Sequence, residues 1–334
     1  MNKRKLEPRV IFTKDGKLNE LARKYEGFTI KDARKEILLD LEKEKLLISK
    51  KEIKHTVNAH ERCGTEIEFL SSTQWFVKIL EHKKKFIAAG KKIQWYPEFM
   101  RTRYEHWVEG LSWDWCISRQ RHFGVPFPVW KCNKCQKVIV AEEKDLPVDP
   151  LIHKPKKKCS CGSSSFEGEK DVMDTWATSS VSPQIIFNWV QSKGHEVSMN
   201  MYPCSLRPQA HDILRTWAFY TIVKGIFHHN EIPWRDIVVS GHVLDPRGEA
   251  MHKSKGNTIE PRLVLEKYSA DALRFWAAGS KLGDDLRYLE KDLLTGQKTI
   301  TKLWNAAKFT FTHLEDFKEK PKKLEAFDRW ILSK

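Results

Sequence analysis

The stretch that most restricts what this chain can fold into runs from Ile237 to Asn257 and reads IVVSGHVLDPRGEAMHKSKGN. Its first three residues form a short β-branched run, the mark of a buried strand. The run opens into Gly241, Pro246 and Gly248, residues that turn a chain and leave little bulk over a bound ligand. Upstream, the spacing predicts a helix over 210–227 with Ile213, Leu214, Trp217, Ala218, Thr221 and Ile222 on one face. Its entrance, RPQAHD, stops an extended stretch. A strand–helix–strand order of this kind is half of an α/β nucleotide fold. The loop then delivers Lys253 and Lys255 around Ser254 and is closed by Gly256. Two ammonium groups on a glycine-flanked loop suit a polyphosphate whose charge grows during reaction. By composition alone, the same K-S-K-G wording also describes a solvated surface loop.

A second constraint is Cys132-x2-Cys135, then 23 residues, then Cys159-x-Cys161. Two close cysteine pairs are the usual frame of a tetrahedral zinc ribbon, because thiolates are costly to bury without a metal. The expectation is zinc, with free thiols as the other reading. The second pair is C-x-C rather than C-x2-C, which leaves His153 open as a substitute ligand. Seven cysteines used in this way suit a reducing compartment, and the expected location is the cytoplasm.

The 59 Lys and Arg against 44 Asp and Glu give a formal charge of +15. That excess fits a polyanionic partner, nucleic acid before membrane, and it also fits a lysine-rich coat. No segment approaches the ~18 apolar residues of a membrane span, and the basic start MNKRKLEPRVIF lacks the apolar core of a secretion signal.

Elsewhere the first 70 residues read as a strand, a helix and a hairpin. Thr29 with Asp32 resembles a capping box for a helix from about Lys31 to Leu46, with Ile30, Ala33, Ile37, Leu38 and Leu41 on its face. His60 to Thr65 reads as a turn, and the pair His60 and Cys63 reads as structural rather than as metal ligands. From Gln74 to Trp130 aromatic residues alternate with Arg101, Arg103, Arg119 and Arg121. That mixture fits either stacking on nucleotides or a core edged by arginines, and the second is the expectation. Ser269 is placed to cap a helix through Trp276. A longer helix is expected over 299–317, with Ile300, Leu303, Trp304, Ala307, Phe311 and Leu314 on one stripe.

These pieces carry specific wording: HERCGT at 60–65, DWCISRQR at 114–121, FGVPFPVW at 123–130 and DVMDTWATSS at 171–180. It continues with RPQAHDILRTWAFYT at 207–221, MHKSKGN at 251–257 and SADALRFWAAGSKLGDD at 269–285. Order and wording resemble the valyl-tRNA synthetases, class I aminoacyl-tRNA synthetases, and most of all the archaeal type. DTW at 174–176 favours valine over the isoleucine relative. The resemblance implies an α/β, partial Rossmann-like class I catalytic domain with a remnant of the editing insertion, a zinc-ribbon module and a C-terminal helical segment. The implied boundaries are 1–75 for the editing remnant, 76–130 for the return to the catalytic domain and 131–168 for the zinc ribbon. They continue with 169–285 for the second catalytic half and 286–334 for a stem-contact segment and the start of the anticodon-binding bundle.

The resemblance also implies roles. Lys253 stands at the second lysine of the KMSKS loop and is expected to hold the ATP phosphates, with Ser254 and His252 beside it in the catalytic set. Asp212 is expected on the ATP ribose and His242 around the adenosine, with Gly241 and Met251 completing the ATP-binding set. Trp176, Ile213 and Trp217 are expected as walls of a valine pocket. The implied ligands are ATP with Mg2+, valine and tRNA-Val, with structural Zn2+ on Cys132, Cys135, Cys159 and Cys161.

Three departures shape the expectation. No HIGH wording occurs, the acidic hydrolytic part of the editing domain is absent, and Ala250 and His252 replace the first lysine and first serine of the loop motif. The chain is therefore expected to be a fragment or one subunit of a split ligase, inactive without a complementary N-terminal polypeptide, and no proofreading is assigned to it. The alternative is a non-catalytic, zinc-containing RNA-binding protein derived from a synthetase.

Overall fold

The computed structural model describes residues 9–60, 63–194, 201–318 and 323–334. It divides into two compact units, Met1–Trp75 and Phe76–Lys334. In the first, Thr29 caps helix α1 (Ile30–Lys43), its hydroxyl accepting from the Asp32 N–H. Capping satisfies one of the N–H groups that a first turn leaves unbonded. The helix stops three residues short of the expected end because Lys45 takes a left-handed turn (φ +56°). The expected strand and hairpin are reduced to isolated bridges, Phe12 with Leu18, Lys17 with Thr29 and Ala59 with Glu66.

The second unit runs through β1 (Phe76–Val77), α2 (Lys83–Lys92), β2 (Gln94–Tyr96), α3 (Phe99–Gly110), β3 (Trp115–Cys116) and β4 (Ser118–Arg119). The cysteine module follows as β5 (Val129–Cys132), β6 (Val138–Val140) and β7 (Phe166–Gly168). The chain returns through β8 (Val172–Met173), α4 (Thr175–Ser179), α5 (Ser182–Ser192), β9 (Cys204–Ala210), α6 (Trp217–His229) and β10 (Trp234–Ser240). Then come β11 (Val243–Leu244), α7 (Pro261–Tyr268), α8 (Ala270–Ala278), β12 (Leu286–Arg287), α9 (Glu290–Thr312) and α10 (Ala326–Leu332).

The centre is a parallel sheet in the order β2–β10–β9. Ile237 and Val239 of β10 are fully buried between its two neighbours, as their β-branched run predicts. Helices α2, α3 and α6 close the core around Trp95, Tyr104, Phe86, Phe219 and Trp234, all buried. Two buried polar tips find acceptors, the Trp95 indole donating to the Gly90 carbonyl (2.8 Å) and the Tyr104 hydroxyl to that of Phe86 (3.0 Å), whereas the Trp115 and Trp234 indole nitrogens are buried without a partner among the described residues. The aromatic stretch is divided: Trp95, Tyr104, Trp115 and Trp130 are buried, whereas Phe76, Tyr96 and Trp113 are exposed. Arg119 lies at the edge, ion-paired with Asp174 at 3.0 Å.

Two elements of this unit differ markedly from their expected spans. The helix predicted from Ala210 begins at Trp217, because Gln209 and Ala210 pair with Val239 and Ser240 and extend β9 to Ala210. A single short turn, His211–Arg215, intervenes. Ser269 caps α8 as expected. The long helix runs Glu290–Thr312 rather than over 299–317, which leaves Leu314 of the predicted stripe beyond it, and only its first half enters a core, through Leu293 and Ile300 against Val264, Tyr268 and Ala272. Leu303, Trp304 and Phe311 of the predicted stripe stay exposed. Among the described residues no helix is long and apolar enough to cross a membrane.

Candidate nucleotide and amino-acid site

In open α/β sheets, ligands bind beyond the carboxyl ends of the strands. Here those ends are Ala210 and Ser240, directly opposite each other in the parallel register. Past Ala210 come His211 and Asp212; past Ser240 come Gly241 and His242. The backbone therefore delivers the predicted Asp212 and His242 side by side, with His242 Nε2 3.7 Å from Asp212 Oδ2. The His211 ring stands edge-on to that of His242 at 5.0 Å. Gly241 has a use beyond leaving room for a ligand: a Cβ there would fall 1.8 Å from the Asp284 carbonyl oxygen, so the main chain of Asp284 lies flush against it.

That approach brings in Asp285, which sequence reading did not single out. Its Oδ1 accepts from the His242 N–H (2.8 Å) and meets His211 Nε2 at 2.6 Å. The His242 N–H, and after it the His211 ring, hold the Asp285 carboxyl below the usual carboxylate range. Leu286 then donates to the His242 carbonyl (2.8 Å), which starts the pairing of β12 with β11.

The lysine loop is built on a buried acid. Asp245, 2% exposed, accepts from the N–H groups of Arg247 and Glu249. The Glu249 N–H foremost, then Asn257 and Arg247, depress its carboxyl. The Asn257 amide donates to Asp245 Oδ2 (3.1 Å) and to the Ala250 carbonyl (3.2 Å), and it accepts from the His252 N–H (2.9 Å). One side chain thus ties both ends of the arm. Between them Met251 is partly buried, while His252, Lys253, Ser254 and Lys255 are exposed. Lys253–Lys255 form one tight turn closed by Gly256 in the left-handed region (φ +66°), which glycine adopts without steric cost.

Trp176, Ile213 and Trp217 all pack on the main core. The Trp217 indole donates to the Ser179 carbonyl (3.0 Å), joining the start of α6 to the end of α4, which carries Trp176. Trp217 stacks on Trp234 and lies under the Arg207 guanidinium at 4.0 Å. Only 6% of it is exposed, so it serves first as core. The start of α4 is fixed by Asp174, which donates its N–H to the Ile117 carbonyl (2.7 Å).

The four cysteine sulfurs lie within 4.8 Å of one another. Sulfur separations are 3.6 Å for Cys132 with Cys161 and 3.5 Å for Cys135 with Cys159. Four sulfurs at ~2.3 Å from a tetrahedral zinc stand about 3.8 Å apart, so the donor set fits such an ion. The first cysteine of each pair is approached by main-chain N–H groups. That of Cys135, then Lys134, pulls the Cys132 thiol down to about 6, and that of Cys161 lowers Cys159. The two pairs also turn alike, the Gln136 N–H donating to the Cys132 carbonyl and the Gly162 N–H to the Cys159 carbonyl (both 2.8 Å), with the C-x-C turn one residue shorter. His153 lies outside the cluster, its Nδ1 accepting from the Asp149 N–H (3.0 Å). In the other unit, His60 Nδ1 lies 3.2 Å from Cys63 Sγ, which also contacts the Thr65 hydroxyl.

A family model described as tRNA synthetases class I (I, L, M and V) matches residues 14–289. The chain belongs to the class I tRNA synthetases. Among curated members, a valine–tRNA ligase of Picrophilus torridus is 47% identical over 92% of this chain, and one of Archaeoglobus fulgidus 47% identical over 99%. The chain spans about two fifths of the length of these relatives, 40% and 38%. Among solved class I synthetases, the methionyl-tRNA synthetase of Mycobacterium tuberculosis in complex with methionyl-adenylate aligns at TM-score 0.56 and 19% identity. The alignment covers 83% of this chain and 48% of that one, a likeness of fold.

Proposed function

We propose that this chain is the valine- and nucleotide-binding portion of a valine–tRNA ligase. The observation that carries the reading is the junction at 210–217. Asp212 and His242 meet at the ends of adjacent parallel strands, and the same stretch continues into Ile213 and Trp217, beside Trp176. Acceptors for a ribose thus adjoin apolar walls for a branched aliphatic side chain. In the first step the valine carboxylate attacks the α-phosphorus of Mg2+-bound ATP, and the bond to pyrophosphate breaks. Lys253, on an exposed arm anchored by Asn257, meets the charge that gathers on the leaving pyrophosphate. In the second step a terminal ribose hydroxyl of tRNA-Val takes the valyl group, and AMP leaves. Catalysis in both is largely a matter of positioning and charge.

Zn2+ is assigned to Cys132, Cys135, Cys159 and Cys161, where it holds the β5–β6–β7 module together. The far side of the nucleotide site is assigned to sequence outside this chain. Among the described residues β9 pairs only with β10, so its other edge offers main-chain donors and acceptors to a further strand. The work of such a ligase belongs in the cytoplasm. The test is valine-dependent ATP–pyrophosphate exchange by this chain mixed with a polypeptide carrying the HIGH half of an archaeal valine–tRNA ligase. Exchange is expected in the mixture, and is expected to fail with Lys253→Ala. A mixture in which the two polypeptides associate without exchange refutes the reading.

A further inference from the structure

The three parallel strands end side by side, and a single loop reaches all three ends. Gly283 (φ +83°) sits where a Cβ would strike Phe99 and Pro97, just past β2. The main chain of Asp284 fills the space above Gly241, past β10. Asp285 then bonds the His242 N–H and, past β9, the His211 ring. Sheet geometry places Asp212 and His242, but neither strand dictates how the chain leaves its end. That is set by the loop.

The chemistry at Asp285 is specific. A carboxylate only accepts, so the His211 nitrogen facing it at 2.6 Å, Nε2, carries a proton. The other ring nitrogen, Nδ1, is buried and has no partner among the described residues. With no acceptor there to hold a proton, Nδ1 keeps its lone pair and the neutral ring is the Nε2–H tautomer. The same Asp285 oxygen fixes the main-chain nitrogen of His242, whose ring borders both His211 and Asp212. One oxygen thus decides a tautomer on one strand end and a main-chain position on the next.

We propose that Asp285 is a positioning residue of the nucleotide site. It holds His211 as the Nε2–H tautomer and pins the chain at His242, so that His242 and Asp212 are presented to the ribose of an adenosine nucleotide. The ribose part rests on the functional reading given above; the tautomer part stands on the contacts alone.

The experiment uses the intact 334-residue chain labelled with 15N-histidine. Long-range 1H–15N imidazole spectra are recorded for the parent, Asp285→Ala and Asp285→Asn, with His211→Gln to assign the signal. The parent is expected to show His211 as Nε2–H. In Asp285→Ala the signal moves to a tautomer mixture and the His242 amide loses protection about tenfold, the loss of one charge-assisted bond. Asp285→Asn, whose Oδ1 accepts both bonds, restores the parent pattern. Titration with Mg-ATP, in the mixture with the polypeptide carrying the HIGH half, then shows affinity reduced about tenfold in Asp285→Ala and restored in Asp285→Asn.

An Nδ1–H tautomer in the parent, or a tautomer unmoved by Asp285→Ala, overturns the proposal. Equal Mg-ATP affinity in parent and Asp285→Ala overturns the ribose part. Failure of every form to bind Mg-ATP in that mixture, although the two polypeptides associate and the tautomer shift is present, counts against the nucleotide reading of the site and supports Asp285 as the group that sets His211.

Discussion

Gly241→Ala is the sharpest single perturbation of the site, because it adds one methyl group where main chain already lies. An ideal Cβ at 241 would stand 1.8 Å from the Asp284 carbonyl oxygen, 2.2 Å from its carbon and 2.6 Å from the Asp285 nitrogen. Real Cβ atoms keep at least 3.0 Å from such neighbours. The 284–285 main chain must therefore retreat by about 1.2 Å, and no rotamer change relieves a clash with backbone. A 2.8 Å bond from the His242 N–H to Asp285 then opens to about 4 Å, past hydrogen-bonding range. The 2.6 Å His211 contact and the 2.8 Å bond from Leu286 to the His242 carbonyl lengthen with it. Losing one neutral and two charge-assisted bonds amounts to about 3 kcal/mol, taking the low end for a half-exposed carboxylate. This is a local loss, so native-state hydrogen exchange is the assay, and about 3 kcal/mol is roughly a hundredfold fall in amide protection at His242 and Leu286. Gly110→Ala is the control, since nothing lies within 4 Å of its added Cβ. A folded Gly241→Ala chain whose two amides exchange within about threefold of the parent would refute the reasoning.

Further outcomes follow from the same contacts. Asn257→Ala removes the three bonds that tie the lysine arm; tryptic cleavage after Lys253 or Lys255 should quicken about tenfold, whereas an unchanged cleavage rate would show the arm is anchored elsewhere. The Asp285 carboxyl is depressed in the folded chain, so its contribution is fully present above the unfolded carboxylate value and is lost as pH falls through the lower folded value. His242 amide protection should accordingly persist down to about pH 4 and drop below it; a drop near pH 6 contradicts this. The chain purified in zinc should hold one ion, released by a chelator, and Cys132→Ala with Cys159→Ala should hold none; equal zinc in parent and variant removes the metal assignment.

Features encoded by neighbouring residues were legible in the sequence. The Ile237–Val239 strand, the Thr29 and Ser269 caps and the apolar face of α6 depend on contacts a few residues apart, and the helix and strand periods report them directly. The site was legible in its parts: Asp212, His242 and Lys253 sit on recognisable wording. What joins them was not. Asp285 lies 74 residues from His211, and no local pattern distinguishes it from Asp284. β9 outran its expected end because parallel pairing with β10 overrides the helical period of 210–217. The exposed second half of α9 shows the converse: a helical period marks an apolar stripe, and burial of that stripe depends on packing partners that the period does not encode.

The most direct test of the account is binding of a non-hydrolysable valyl-adenylate analogue to this chain paired with the polypeptide carrying the HIGH half, with shifts followed residue by residue. The account predicts that saturating analogue moves the His242 and Asp212 amides together with the indole signals of Trp176 and Trp217, and that the threonyl analogue moves the same signals more weakly. Shifts confined to the cysteine module, with 212, 242 and the two indoles unmoved, would contradict it.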